Sequence, residues 1–198
     1  MKSVLNTLGL LLITVSVACA QDFKKETDKY RKKYKEEFLS SANSPLKEAD
    51  LPFLQFYEAD SAYRVVAKFE KSRGQSFEMP TYSGVNKTYV KYGKVKFRIN
   101  GRKQTLTVYR SLSLQQLAKY KDYLFIPFKD KTNGDESYGG GRYLDLKTTD
   151  IKDGELVLDF NKAYNPYCAY NHKYSCPIVP SENHLDAEIR AGVKKFHD

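Results

Sequence analysis

The chain has 198 residues, with 33 Lys and Arg against 24 Asp and Glu for a formal charge of +9, 41% hydrophobic residues, 16 Tyr, 11 Phe and no Trp. This composition excludes a disordered chain, and at this length one core buries about 70% of the unfolded surface, so neither metal nor disulfide is obligatory for folding. No internal repeat is visible, and the expectation is one domain.

The first residues, MKSVLNTLGLLLITVSVACAQDF, read as an export signal: Lys2 is the positive start, Val4 to Val17 the apolar run, and Ala18-Cys19-Ala20 the small-x-small cleavage pattern. The run is shorter than the roughly 20 apolar residues that a bilayer span needs, so no membrane span is expected and cleavage after Ala20 leaves a mature chain from Gln21. The expected location is periplasmic or extracellular. A lipoprotein anchored through acylated Cys19 is the alternative, but Ser16 stands where such signals usually carry Leu. Cleavage removes one charge, Lys2, so the mature balance is +8.

The basic excess raises a nucleic-acid reading, which the export signal argues against; no nucleic acid is expected as a partner. Much of the excess sits in FKKETDKYRKKYKEEF, where charges of both signs describe a solvated helix face, an anionic envelope surface being the functional alternative. Phe23, Tyr30, Tyr34 and Phe38 recur at helical spacing, with Asp22 as a candidate N-cap. Pro45 and the Ser-Ser-Ala-Asn-Ser run end this helix near Ala42, which gives a helix and linker over residues 21–45.

From residue 51 onward the period becomes alternating, and a β core is expected over 51–198, within one domain over 21–198. The segment SAYRVVAKFEK opens it. In GKVKFRINGRKQTLTVYR, Val95, Phe97 and Ile99 face one way, Asn100-Gly101 makes a two-residue turn, and Leu106 and Val108 resume the apolar face, which predicts a hairpin. A short helix is expected near SLQQLAKY, a buried strand in YLFIPFKD, and further strands after GGGRY and in GELVLDFN. The resulting class is mainly β: an antiparallel sheet curled into a barrel or sandwich, with the N-terminal α-helix packed outside. GGGRY is not a phosphate loop, because a strand follows it and it lacks the spacing and Lys-Ser/Thr ending of one.

Three blocks, FKDKTNGDESYGGGRYLDL, LDFNKAYNPYCAY and CPIVPSENHLDAEIRAG, resemble the bacterial family catalogued as a domain of unknown function, number 1684. SPL and AYRVVAKF resemble it more weakly, and together the blocks cover most of the mature chain. The resemblance implies no settled activity; it marks positions. Tyr167 and Val193 depart from the family pattern, which tends to Pro and Glu at those places.

After signal cleavage only Cys168 and Cys176 remain, and an even pair in an exported chain favours a disulfide. A zinc shell of Cys168, His172, Cys176 and His184, or a Cys168 nucleophile with His172 as its base, are the alternatives. No metal and no cofactor are expected. The remaining polar groups are Asp159, Asn161, Asn165, Glu182 and Asn183, with Arg142, Tyr143 and Asp145 arriving from the strand before them. One reading gives them structural duties at turns. The other makes Arg142, Tyr143, Asp145, Asp159, Asn161, Asn165 and Asn183 a site, with a guanidinium fork and amides for a polar or anionic small molecule and Tyr138, Tyr164 and Tyr170 flanking it. The preferred function is an exported binding module. An envelope hydrolase, with Asp159 or Asp145 as general base and Arg142 stabilising negative charge, is the alternative, although no Ser elbow, zinc or calcium motif is present.

Overall fold

The computed structural model describes residues 2–196, with side chains described from Gln21 onward. The export signal expected over residues 1–20, Cys19 included, lies outside the described side chains. Helix α1 (Lys2–Ser40) runs through Asp22, which is therefore an interior helical residue and not an N-cap. It stops two residues before the expected end. No described helix is long and apolar enough to cross a membrane.

Seven strands follow: β1 (Arg64–Lys71), β2 (Ser76–Met79), β3 (Lys87–Ile99), β4 (Arg102–Ser111), β5 (Tyr123–Phe128), β6 (Arg142–Lys147) and β7 (Glu155–Asp159), with a one-turn helix α2 (Leu112–Gln115) before β5. They form one antiparallel sheet in the order β6-β5-β4-β3-β1-β7, with β2 paired to β3 beside that path. The protein is mainly β, and the sheet curls into a half-barrel whose two edges are β6 and β7. The β3–β4 hairpin is as the sequence predicts, since Asn100 and Gly101 both take positive φ, at 49° and 75°, as the tight turn requires. Strand β2 is not visible in the sequence pattern, because its four residues are too few for an alternation to register.

Inside the curl lie Ala67, Val95, Phe97, Leu106, Val108, Leu124, Ile126, Phe128, Leu144, Leu156, Leu158 and Phe160. The open side is closed by the chain's own C-terminal strap. In it Leu185, Ala187, Ile189, Ala191 and Val193 are buried at alternate positions, while the residues between them from His184 to Arg190 point outward. The strap joins no regular ladder and hydrogen-bonds residue by residue along the segment after β5, through Asn183 and Leu185 to Lys129 and through Ala187 to Lys131. Gly192 turns it at φ +79°, where an added Cβ would sit 2.4 Å from the Ala163 carbonyl oxygen. Any other residue there would be both strained and crowded.

On the outer face of β5 and β6, a second cluster holds Phe125, Tyr143, Tyr89, Tyr109 and Met79 under the Pro-rich segment that carries Cys168 and Cys176. Helix α1 packs there through the expected stripe. Phe38 is buried, and Tyr34 meets Phe56 and Tyr164 while Phe38 meets Tyr167 and Tyr170.

Candidate functional site

The pleat of β6 decides where its residues go, because successive side chains leave opposite faces of a strand. Arg142, Leu144 and Leu146 enter the half-barrel, while Tyr143, Asp145 and Lys147 face the outside cluster. Arg142 and Asp145, which the sequence reading joins in one site, are thus separated by the sheet.

Arg142 is fully buried. One terminal nitrogen donates to the Ala191 carbonyl at 2.5 Å, and the other donates to the Asp130 carboxylate at 2.8 Å and to the Ile189 carbonyl at 2.7 Å. The strap's inward carbonyls lack ladder partners, and buried carbonyls need donors. Arg142 supplies them. Asp130 in turn accepts from Thr132 and from the Ile189 amide, so this hub ties β6, the turn after β5 and the strap together. Both terminal nitrogens are thus engaged and Nε is buried without a hydrogen-bond partner among the described residues, so the structure gives Arg142 a structural duty inside the half-barrel.

Asn161 and Asn183 are likewise occupied, and Asn165 in part. Asn183 accepts from the Thr107 amide at 2.7 Å and donates to the carbonyls of Thr107 and Pro127, bridging β4 and β5 where their ladder is reduced to the pair Tyr109–Phe125. Asn161 exchanges hydrogen bonds with both backbone groups of Asp60 and donates to Asp159, which also accepts from the Asn161 amide. Asn165 donates to the Lys194 carbonyl. Asn161 and Asn183 work as substitute peptide groups in regions without regular pairing, whereas the Oδ1 of Asn165 is buried with no hydrogen-bond partner among the described residues.

Cys168 and Cys176 are buried free thiols in this structure, not the expected bridge. The Cys168 amide donates to the Cys176 sulfur at 3.2 Å, and contact with Cys168 brings the Cys176 thiol down to about 7. His172 and His184 are exposed, and no cluster of three metal-ligating side chains forms among the described residues.

What remains of the expected site is Tyr143, Asp145 and Asp159, and all three line one cavity of about 1240 Å³. It runs along the gap between the two edges of the half-barrel, bounded by β6, β7, α1 and the Cys176–Pro177 segment. Asp145 is an exposed residue on its wall, with the carboxyl open to solvent between the cavity's sides. One of its oxygens, Oδ1, accepts hydroxyl hydrogen bonds from Tyr123 at 2.8 Å and Tyr164 at 2.6 Å. The other, Oδ2, makes no hydrogen bond or ion pair among the described residues. Burial raises the Asp145 carboxyl above its ordinary value, against the lowering effect of the two hydroxyls. The tyrosines respond in kind, with burial and the nearby carboxylate pushing Tyr123 and Tyr164 well up.

The Tyr143 hydroxyl donates to the Pro177 carbonyl, and its ring packs edge-on against Phe125 at 4.7 Å, so it forms wall and not contact group. Asp159 sits at the cavity's far side among Arg64, Lys162 and Asn161. Tyr123 is the candidate-site residue that the sequence reading misses. It lies opposite Lys147 across the β5–β6 ladder, diagonal to Asp145, and the outward alternation Tyr123, Phe125 against Tyr143, Asp145 contains the signal that would have found it.

Residues 50–194 match the model of a family described as "Protein of unknown function (DUF1684)". No curated protein matches the chain. It is similar to a solved structure, the solution NMR structure of an uncharacterized protein from Haloarcula marismortui, with 31% identity over 88% of this chain and 95% of that one, and a TM-score of 0.67.

Proposed function

Since the chain belongs to the DUF1684 family, whose description names no activity, we propose from its own geometry that it is an exported binding module for a polar small molecule. The observation that carries this reading is the cavity floored by Asp145, in which one carboxylate oxygen is held by two tyrosine hydroxyls and the other faces open space. Such a concavity, in which tyrosine and phenylalanine rings stand among charged side chains of both signs, is a candidate ligand site. The anionic class of ligand loses its support, because the guanidinium invoked for it serves the strap. A thermal-shift screen of sugars, nucleotides, phosphates, peptides and amines against wild type and Asp145→Asn tests the reading. A compound that stabilises the wild type and not the variant is expected; equal shifts for every compound that binds would move the site elsewhere.

The raised Asp145 carboxyl gives the hydrolase alternative one supporting feature, since general acid–base catalysis favours such a group. Yet Arg142, the proposed stabiliser of developing charge, stands behind the sheet. Binding is the better supported function.

Export carries a second proposal. In an oxidising compartment the packed thiols of Cys168 and Cys176 join as a disulfide, which closes a short loop against the cavity wall and contributes roughly 2–3 kcal/mol by restricting the unfolded chain. Thiol titration of the unreduced, unfolded mature protein should find no free thiol; two would refute the bridge.

A further inference from the structure

The open oxygen of Asp145 lies in a cavity in which four of the six lining cations are engaged elsewhere. Lys33 pairs with Glu37 at 3.7 Å, Arg64 with Glu26 at 2.8 Å, Lys162 with Asp159 at 3.7 Å, and Lys87 donates to the Ser175 carbonyl at 2.9 Å. Lys147 and Lys152 also line the cavity, both at exposed positions. No ion pair reaches the solvent-exposed carboxylate of Asp145 among the described residues. Around it the walls are rings, those of Tyr34, Tyr89, Tyr123, Phe125, Tyr143 and Tyr164. A carboxylate without a counter-ion, its near oxygen oriented by two hydroxyls and its surroundings aromatic, is complementary to a cation that brings its own N–H donors and an apolar body.

We propose that the ligand of this cavity is an organic amine, whose ammonium group donates to the free oxygen of Asp145 while its apolar or aromatic part lies against the tyrosine walls. This rests on the cavity being the binding site, and it names the class of molecule bound. The two tyrosine hydroxyls act as positioning groups: they occupy one oxygen and so aim the other into the cavity. A neutral alcohol of the same shape can offer only one donor and no charge. An acid of the same shape meets a carboxylate.

The test uses three matched probes, phenethylamine, 2-phenylethanol and phenylacetate, titrated into ¹⁵N-labelled mature protein near neutral pH, with wild type and Asp145→Asn. Asparagine keeps an acceptor for the tyrosine hydroxyls, and the variant's amide spectrum reports whether the fold is kept. The expected result is that phenethylamine shifts the amides of residues 143–147 and 123–125 and binds at least about tenfold more tightly than 2-phenylethanol, the usual advantage of a charged hydrogen bond. Phenylacetate should bind more weakly than either, and Asp145→Asn should erase the amine's advantage. If the alcohol matches the amine at these same amides, in wild type and variant alike, the amine assignment is overturned while the cavity survives. If the amine shifts only amides remote from these strands, the assignment and the cavity reading fall together; if no probe binds, the amine assignment falls.

Discussion

Replacing Arg142 with Met should cost about 3–5 kcal/mol of stability, the expected effect of breaking a buried ion pair. At roughly 2–4 °C per kcal/mol for a domain of this size, that corresponds to a fall in Tm of roughly 6–20 °C. The substitution keeps the aliphatic volume but leaves the Asp130 carboxylate without its cation and the Ile189 and Ala191 carbonyls without donors, all inside the half-barrel. Arg142→Lys retains the charge but should still be costly, because a single ammonium cannot reproduce the fork that reaches four acceptors on two chain segments. Urea unfolding of both variants checks this. An exposed ligand-binding arginine would be removed at a cost within about 0.5 kcal/mol, and a loss that small would contradict the structural role.

The second large effect is expected at Asn183. Its side chain supplies three hydrogen bonds between β4, β5 and the strap, and alanine would orphan the Thr107 amide and the carbonyls of Thr107 and Pro127. With each buried unpaired group costing about 1–3 kcal/mol, the loss should be about 3 kcal/mol or more. Thr107 should then exchange its amide hydrogen with solvent much faster than the amides of the β3–β4 hairpin, because the opening is local. Unchanged protection at Thr107 would show that the side chain is dispensable there.

These two residues explain why the β architecture could be read from the sequence and half of the site could not. The hairpin at Asn100-Gly101, the strands at YLFIPF and GELVLDF and the helical stripe from Tyr30 to Phe38 all follow from local periodicity and turn chemistry, and the structure has each of them. Polar duties are different. Arg142, Asn161, Asn165 and Asn183 serve backbone groups 29 to 101 residues away in sequence, and no local pattern announces such partners. Their gathering in the last third reflects a strap and turns that lack a ladder, so side chains must satisfy backbone groups that strands would otherwise pair. One clue was available: adjacent residues of a strand face opposite ways, so Arg142 could not share a pocket with both Tyr143 and Asp145. That alternation leaves Asp145 as the residue whose chemistry the fold does not use up.

Asp145 therefore carries the central claim, a carboxylate set in a walled cavity without a cationic partner among the described residues. The most direct measurement is the ¹³C titration of its side-chain carboxyl in the free mature protein. Because burial disfavours its charged form, the folded chain holds this proton more tightly than the unfolded chain, and the stability contributed there falls as pH rises from the ordinary carboxylate value of 3.8 through the raised one. The account predicts a midpoint above that ordinary value; a midpoint at or below it would mean that a cation or full hydration already satisfies the group, and would contradict the site.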